Sequence, residues 1–323
     1  MGRSVDVGAL VDRARTGEPR AVARLISLVE DASPALREVM ATLAPLTGSA
    51  RVIGLTGSPG VGKSTTTSAV VGALRRRSLR VGVLAVDPSS PFSGGALLGD
   101  RVRMQEHALD PEVYIRSMAS RGHLGGLSWS TPQALRVLDA AGCDVVLVET
   151  VGVGQSEVEV AGLADTTVVL LAPGMGDGVQ AAKAGILEVG DVFVVNKADR
   201  EGASAAVRDL RQMLSLAEGS DVGWTPPVVT TVASRGEGLD ELMAALDEHW
   251  AWLAGPGLHR RRTARAAAEI EAIALAALRS RLGDLRGAGP GGLADLAADV
   301  VAGRTDPWAA ADVLVDAVTT AAR

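Results

Sequence analysis

Residues 51–65 read RVIGLTGSPGVGKST, an apolar run followed by a glycine-rich turn that ends in a basic and two hydroxyl residues. From Gly57 to Ser64 the turn matches G-x-x-x-x-G-K-[ST], the pattern of a phosphate-binding loop between a strand and a helix. Glycines let successive backbone N–H groups face a phosphate, and the helix N-terminus adds its positive end. The stretch therefore predicts a nucleotide-binding α/β domain.

The side chains of the loop predict specific contacts with the nucleotide. Lys63 is expected to reach the β- and γ-phosphates and to act in catalysis, and the Ser64 hydroxyl is expected to bind Mg²⁺. Position 58 is serine, which argues against the two-lysine loop of partitioning-type ATPases. The predicted nucleotide contacts of the loop are Gly57, Ser58, Pro59, Gly60, Val61, Gly62, Lys63, Ser64 and Thr65.

Beyond the loop, short apolar runs alternate with helical stretches. The runs are rich in Val and Leu and lack polar alternation, as expected for strands that are buried on both faces. This order predicts a doubly wound, mostly parallel sheet with its chemistry at the carboxyl ends of the strands. The predicted strands are 51–56, 80–87, 144–150, 167–173, 191–199 and 227–234, with a weaker candidate at 113–118; helices are predicted at 65–77 and 236–252.

Helical patterns flank this sheet on both sides. Apolar residues three and four apart predict an N-terminal helical extension over 1–48, followed by a P-loop domain over 49–254. A Gly-Pro-Gly break at 255–257 opens the C-terminal helical region, 255–323, which contains an amphipathic helix over 268–282. Its pattern is compatible with packing on the sheet of its own chain or with a partner surface.

Composition excludes several classes of function. The 323 residues carry a net charge of −6, which argues against a nucleic-acid-coating surface. Cys143 is the single cysteine, so neither an internal disulfide nor a cysteine-based metal cluster is expected. We expect no secretory signal, no membrane span and a cytoplasmic location, because no sufficiently long apolar run occurs. Among 32 basic residues only Lys63, Lys183 and Lys197 are lysines.

The segment Asn196-Lys197-Ala198-Asp199 predicts recognition of guanine. The Asp199 carboxylate can accept from guanine N1–H and from the exocyclic amine at once, whereas adenine offers no such pair of donors. Lys197 is expected to lie along the base, and Asn196 to tie this segment to the phosphate loop. Backbone N–H groups of Ser234, Arg235 and Gly236 are expected near the guanine carbonyl, although Ser234 also suits a helix cap.

Three carboxylates and one glycine are candidates for sensing the γ-phosphate. Glu149 begins Glu-Thr-Val-Gly, in which the carboxylate is expected to hold Mg²⁺ through water and Gly152 to sense the phosphate. Asp87 and Asp100 bracket a Gly/Ser-rich loop and are expected to bind Mg²⁺ through water or to position the attacking water. The alternatives are a turn residue for Asp87 and an exposed loop acid for Asp100.

Intrinsic hydrolysis is expected to be slow. Ras-like proteins carry a water-orienting glutamine directly after the glycine of this motif, and here that position is Val153. We therefore predict that a partner accelerates the reaction.

In their order along the chain, these motifs closely resemble the MeaB/ArgK family, G-protein chaperones of adenosylcobalamin-dependent methylmalonyl-CoA mutase. The resemblance runs from about 51 to about 250. The motifs are GSPGVGKSTTT, VLAVDPSSPFSGGALLGDRVRM, SRGHLGG, VETVGVGQSEVEVA, PGMGDGVQAAKAGI and VVNKAD.

The resemblance implies a SIMIBI-like P-loop GTPase fold that binds GTP or GDP with Mg²⁺. It also implies a homodimer built partly through the C-terminal helices, and a role in gating cobalamin loading and protecting the mutase. The family's active-site residues fall on Lys63, Asp87, Asp100 and Glu149 for catalysis and Asn196, Lys197 and Asp199 for the base.

The chain departs from the family pattern at two places. Pro132-Gln133 replaces an Arg-Glu pair and Gly178-Val179 replaces an acidic-apolar pair, both in segments expected to face a partner. Lys183 lies in the family's PG-x-GD-x-x-Q-x-x-K pattern, as a solvated helix residue or as a reporter of nucleotide state.

Three other functions compete with a GTPase chaperone. The first is an ATP-using kinase of an arginine/ornithine (LAO/AO) transport system, which would have no use for the guanine-binding segment at 196–199. The second is a nucleotide-binding scaffold with negligible turnover. The third is a nickel-insertion GTPase, which is disfavoured because the chain lacks a Cys/His cluster.

Overall fold

A computed structural model describes residues 5–87, 104–119, 130–150, 156–174, 186–217, 223–286 and 292–320. The chain divides into two units, Met1–His259 and Arg260–Arg323. No helix among the described residues combines the length and apolarity that crossing a membrane would require.

The first unit is built around one parallel sheet, as the alternation of strands and helices predicts. Its strands, as far as the chain is described, are β1 (Arg51–Thr56), β2 (Val81–Asp87), β3 (Val113–Ala119), β4 (Val145–Glu149), β5 (Thr166–Leu171), β6 (Val192–Asn196) and β7 (Val228–Thr231). They lie in the order β3-β2-β4-β1-β5-β6-β7, and all six pairings are parallel.

Helices precede the sheet, connect its strands and follow it. Among the described residues, the α-helices of the first unit are α1 (Val7–Arg15), α2 (Pro19–Glu30), α3 (Leu36–Leu43), α4 (Lys63–Arg76), α5 (Thr131–Ala140), α6 (Ser156–Leu163), α7 (Ile186–Val189), α8 (Ala203–Ala217) and α9 (Leu239–Leu253). The others are α10 (Pro256–Arg286), which begins just before the second unit, and α11 (Leu293–Val301) and α12 (Pro307–Thr320) within it.

Alternate residues of the strands form hydrophobic clusters on opposite faces of the sheet, because successive side chains of a strand point to opposite sides. On one face, Val52 and Val146 join a cluster with α1, α2, α3, α5 and α6. On the other face, Ile53 and Leu147 join a cluster with α4 and α9. The predicted N-terminal helices therefore contribute to the core of the first unit.

Asp139 fixes the point at which the chain enters β1. Its carboxylate accepts from the backbone N–H groups of Gly48, Ser49 and Ala50 at 2.5, 3.2 and 2.9 Å. A buried carboxylate that accepts several backbone donors is well satisfied. Asp139 lies on α5, so one helix of the core holds the residues that precede the central strand.

The predicted strands are confirmed, with differences at their ends. The run predicted over 191–199 ends as a strand at Asn196, because Lys197 has a left-handed backbone conformation with φ of 57°. Instead of remaining a break, the Gly-Pro-Gly segment opens α10 directly. Gly255, with φ of 79°, ends α9, and Pro256 takes the first helical position, where its missing N–H costs nothing.

The second unit, described by itself, exposes many large apolar side chains. They lie on α10, α11 and α12, and the side chains of Ile270 and Trp308 are 68% and 83% exposed. Among the side chains that the structure describes in this unit, the exposed large apolar ones are Ile270, Ile273, Leu275, Leu278, Leu293, Val301, Trp308, Val313 and Val315.

The single thiol is expected to be inert in the folded protein. Cys143 is buried, and burial raises the pKa of its thiol to about 12. Because the thiolate is the nucleophile, iodoacetamide at pH 8 should leave the native protein unmodified and should label one thiol per chain in denaturant. Mass spectrometry measures both outcomes. Rapid stoichiometric labelling of the native protein would contradict the burial of this residue.

Candidate functional site

The candidate site lies at one edge of the sheet, where the carboxyl ends of the parallel strands meet. The phosphate-binding loop at 57–62 follows β1, and Glu149 is the last residue of β4, which pairs directly with β1. Asn196 ends β6, and the short 3₁₀ helix Ala233–Arg235 follows β7. Residues far apart in the sequence thus share one edge because every strand runs in the same direction.

Two glycines of the loop are required by close contacts. Gly57 has φ of 138°, and a Cβ there would lie 2.2 Å from the carbonyl oxygen of Leu170 on β5. Gly62 has φ of 98°, and a Cβ there would lie 2.4 Å from Asn196 Nδ2. No other residue combines this backbone conformation with the absence of a Cβ. The loop therefore packs directly against β5 and against the end of β6.

Lys63 carries its charge into the loop. The side chain is buried, and Nζ donates to the carbonyl oxygens of Gly57 at 2.7 Å and Ser58 at 3.1 Å. An ammonium group is a compact charge with three donors, which suits a narrow loop better than the broad guanidinium fork of arginine. The loop thus combines the positive N-terminus of α4 with a buried cation, an arrangement suited to binding phosphate.

Ser64 and Glu149 bring two oxygen ligands together beside the loop. The Ser64 hydroxyl donates to Glu149 Oε1, and Glu149 is buried at the end of β4. Mg²⁺ prefers such oxygen ligands and usually keeps several waters, so this pair fits the ion. The part of the chain that the structure describes holds no group of three or more His, Cys, Asp or Glu side chains placed to bind a metal.

Asn196 joins three parts of the site through its side-chain amide. Nδ2 donates to the carbonyl oxygen of Val61 at 2.8 Å, within the phosphate-binding loop. Oδ1 accepts from the Thr231 hydroxyl and from the backbone N–H of Ala233, both at 3.1 Å. The side chain is buried, so both of its polar atoms are satisfied without water. One residue therefore positions the loop, β7 and the turn after β7 relative to one another.

Lys197 and Asp199, which follow Asn196, contact different parts of the site. Lys197 Nζ donates to the carbonyl oxygen of Gly60 at 2.5 Å, so a second lysine reaches the phosphate-binding loop. Asp199 forms an ion pair with Arg235, with 3.3 Å between Oδ2 and Nη2. The carboxylate expected to recognise guanine therefore faces a guanidinium group from the turn after β7.

Two neighbouring cavities lie along the site. A cavity of about 860 Å³ is lined by Ser64 and Thr65 at the start of α4 and by Ser234 and Gly236 of the turn. Asp199 and Glu237 line a separate cavity of about 460 Å³. The structure thus brings the start of α4 and residues 234 and 236 to one cavity, and Asp199, Glu237 and Gly238 to another.

Several predicted residues lie outside the described part of the chain. These are Asp100, Gly152, Gly178, Val179 and Lys183. For Asp87 the structure describes the backbone at the end of β2 and not the side chain.

One of the two departures from the family pattern lies in the described part of the chain. Pro132 and Gln133 lie in the first turn of α5, and Gln133 is buried. Gln133 therefore packs inward, and the expectation that this segment faces a partner stays a prediction.

Three residues of the large cavity were missed at the level of sequence. The Ser68 hydroxyl on α4 donates to Glu106, and His107 Nε2 lies 3.0 Å from the Ser68 carbonyl oxygen. All three line the cavity next to the phosphate-binding loop. The sequence could have indicated that Ser68 lies in this cavity, because it follows Ser64 by four residues and so shares its helix face. Nothing local in the sequence indicates that Glu106 and His107 approach α4.

Comparison with known proteins places the sequence in a family. The family model described as methylmalonyl-CoA mutase-associated GTPase MeaB matches residues 22–284. A protein of Pyrococcus abyssi that is named as a GTPase is 50% identical over 270 residues, which are 83% of each chain. GTPase ArgK of Escherichia coli is 40% identical over 243 residues, which are 73% of each chain.

The overall fold also matches a solved structure. The crystal structure of an LAO/AO transport system kinase superposes with a TM-score of 0.72 and 27% sequence identity, covering 99% of each chain. The match extends over both the sheet and the helices on either side of it in sequence.

Asn196→Ala is expected to lower the free energy of unfolding by about 3 kcal/mol, because it leaves buried partners on Val61 and Ala233 unsatisfied. Freed from this anchor, the phosphate-binding loop should also bind nucleotide more weakly. Urea unfolding and titration with fluorescent GDP measure the two effects. Thr231→Val is the matched control: it removes one partner of Asn196 at nearly constant shape and should cost about 1 kcal/mol. An Asn196→Ala variant as stable as the wild type would contradict the anchoring role.

Proposed function

The chain belongs to the MeaB family of methylmalonyl-CoA mutase-associated GTPases, and from this premise we propose that it is a GTP-driven chaperone of an adenosylcobalamin-dependent methylmalonyl-CoA mutase. Membership in the family makes the chain a hydrolase that converts GTP to GDP and phosphate.

The observation that carries the proposal is the connection between the predicted guanine-binding segment and the phosphate-binding loop. Asn196 and Lys197 both donate to carbonyl oxygens of that loop, at Val61 and Gly60. A nucleotide that reaches from the loop to Asp199 would therefore meet one rigid unit at both of its ends. We propose that Asp199 accepts from guanine and that backbone groups of Ser234, Arg235 and Gly236 approach the same base.

Phosphate binding is assigned to the loop and to Lys63. The buried ammonium group of Lys63 now donates to two loop carbonyls, and we propose that it donates to phosphate oxygens when GTP is present. The backbone N–H groups of the loop and the N-terminus of α4 hold the same phosphates. Exclusion of water from this buried position strengthens each of these interactions.

Ser64 and Glu149 are the proposed Mg²⁺ ligands, Glu149 through water. When bound, Mg²⁺ neutralises charge on the β- and γ-phosphates. The contact between these two side chains supports the assignment, because it concentrates two hard oxygen donors at the loop. From the family resemblance we further propose that Asp87 and Asp100 act at the γ-phosphate and that Gly152 senses it.

A second candidate function follows from the name of the solved structure, an LAO/AO transport system kinase. Such an activity would use ATP, whose base has no pair of donors for the Asp199 carboxylate. The segment Asn196–Asp199 and its contacts with the phosphate-binding loop favour the GTP-driven chaperone.

We propose that the chain consists of an N-terminal helical extension (1–48), a P-loop domain (49–254) and a C-terminal helical region (255–323) that forms a homodimer. The exposed apolar side chains of α10, α11 and α12 support the last assignment, since such patches usually mark contacts with another chain. On the sequence grounds given above, a cytoplasmic location and the absence of a nucleic-acid partner belong to the same proposal.

The chaperone role predicts partner-dependent hydrolysis. The purified chain should hydrolyse GTP slowly and ATP not measurably, and purified methylmalonyl-CoA mutase should accelerate GTP hydrolysis at least about tenfold, because partners commonly complete the catalytic groups of such sites. Phosphate release with and without the mutase measures the effect.

Lys63→Ala serves as the control, since it should abolish turnover under both conditions. Equal use of ATP and GTP would favour the transport kinase. An unchanged rate with the mutase would contradict the chaperone assignment and leave a GTPase that acts elsewhere.

The homodimer is tested by placing charge on the exposed apolar side of α10. Sedimentation of the wild type at micromolar concentration should give twice the mass of the chain, and Ile270→Glu combined with Leu278→Glu should give the mass of the monomer, because buried unpaired carboxylates are costly. Arg279→Glu, on the other side of the helix, is the control and should remain dimeric. A monomeric wild type, or a dimeric double variant, would contradict the assignment.

A further inference from the structure

The ion pair between Asp199 and Arg235 is the one feature of the described site that opposes guanine binding. Asp199 Oδ2 lies 3.3 Å from Arg235 Nη2, and Arg235 Nη1 lies 3.8 Å from Glu237 Oε1. Arg235 belongs to the turn after β7, next to Ser234 and Gly236, which line the large cavity together with Ser64 and Thr65 at the start of α4. The carboxylate that is assigned to guanine is thus already paired with a charged side chain of the turn.

Guanine and arginine present the same pattern of donors to a carboxylate. The N1–H and 2-amino groups of guanine belong to a guanidine fragment within the ring, and the arginine side chain ends in a guanidinium ion. Both offer a planar fork of N–H groups, and an ionised carboxylate accepts from such a fork with both oxygens. Arginine is always charged, so this competitor is present at every physiological pH.

We propose that Arg235 is a built-in competitor of guanine, which neutralises Asp199 in the nucleotide-free protein and must leave before the base binds. The inference rests on the proposed role of Asp199 in guanine recognition. It assigns to the Arg235 side chain a function separate from that of its backbone, namely control of how fast the base site accepts a nucleotide.

The pair is open enough to be displaced. The side chains of Arg235 and Asp199 are 59% and 36% exposed, so water screens the attraction between them. Ion pairs of this kind favour the closed state by at most about fivefold. Glu237 lies on the other side of the guanidinium, so Arg235 keeps an acidic partner when it leaves Asp199.

Competition in the free protein has a specific kinetic signature. If only molecules with an open Asp199 accept guanine, the apparent association rate is the intrinsic rate multiplied by the open fraction. The dissociation rate is unaffected. Removing Arg235 should therefore speed association about two- to fivefold. The direction is diagnostic, because loss of a positive charge near the site would by itself slow the binding of an anionic nucleotide.

The experiment is stopped-flow binding of GDP that carries a fluorophore on the ribose, which leaves the edge of the base free. Arg235→Ala should associate about two- to fivefold faster than the full-length wild type at low salt and dissociate at the same rate. The difference should vanish near 1 M salt, where screening removes the pair in the wild type. Arg235→Lys, which keeps the charge without the fork, should fall between the two.

Two control variants separate the pair from general charge effects. Arg200→Ala removes an exposed positive charge directly after Asp199 and should associate no faster than the wild type. Glu237→Gln leaves the pair with Asp199 in place and should likewise give no acceleration. Acceleration in either control would overturn the proposal, because the effect would then not depend on the Asp199–Arg235 contact.

The remaining outcomes distinguish this inference from the proposed function. Unchanged association in Arg235→Ala overturns the competitor role, and slower association or faster dissociation overturns it in favour of a direct contact with bound nucleotide. Asp199→Asn tests the base assignment itself and should weaken GDP binding at least about tenfold. If Asp199→Asn binds GDP as the wild type does, the guanine assignment fails, whatever Arg235 does.

Discussion

The Asn196 amide has buried partners on two sides, and the geometry of the site depends on this arrangement. Its amino group holds the Val61 carbonyl, and its oxygen holds Thr231 and the N–H of Ala233. Hydrogen bonds that satisfy a buried polar group contribute modestly when made and cost much more when one partner is missing. Asn196 therefore permits one arrangement of the three segments and penalises the others.

Asn196 can join these three segments because a parallel sheet brings the ends of its strands to one edge. Close packing of Gly57 against β5 and of Gly62 against Asn196 leaves no space for a side chain at either position. The hydrophobic clusters on both faces of the sheet hold the strands at fixed spacing, so the loop, Glu149 and Asn196 keep their separation. Burial of the apolar strands is thus what positions the polar groups at their ends.

Local patterns in the sequence were sufficient for the strands and for their parallel direction, but not for the order in which the strands lie in the sheet. They also predicted that Asn196 ties its segment to the phosphate-binding loop, because both the Asn-Lys-Ala-Asp segment and the loop are recognisable motifs. The pair of Arg235 with Asp199 was not predictable, since 36 positions separate the two residues and no spacing rule joins them.

The polar cluster at the opposite edge of the sheet was missed for the same reason. There His249 lies between the Thr166 hydroxyl at 2.9 Å and Asp191 at 3.2 Å, while Trp224 donates to the Asp191 carbonyl. Each contact joins elements that meet only through tertiary packing. The side-chain contacts that the sequence does not indicate are therefore those between elements that carry no recognisable motif, whereas the elements themselves are indicated.

The scarcity of lysine acquires a physical reason at this site. Lys63 and Lys197, two of the three lysines, direct their amines to carbonyl oxygens of the same loop, at Gly57, Ser58 and Gly60. Carbonyls that line a narrow loop suit a compact ammonium group with freely rotating donors, whereas the planar fork of a guanidinium gains most from a carboxylate, which can accept two of its N–H groups at once. The arginine of the site, Arg235, is found on such a carboxylate. At this site the two kinds of basic side chain therefore meet different acceptors, whereas elsewhere arginines such as Arg75 and Arg80 also donate to single backbone carbonyls, those of Leu79 and Ala141.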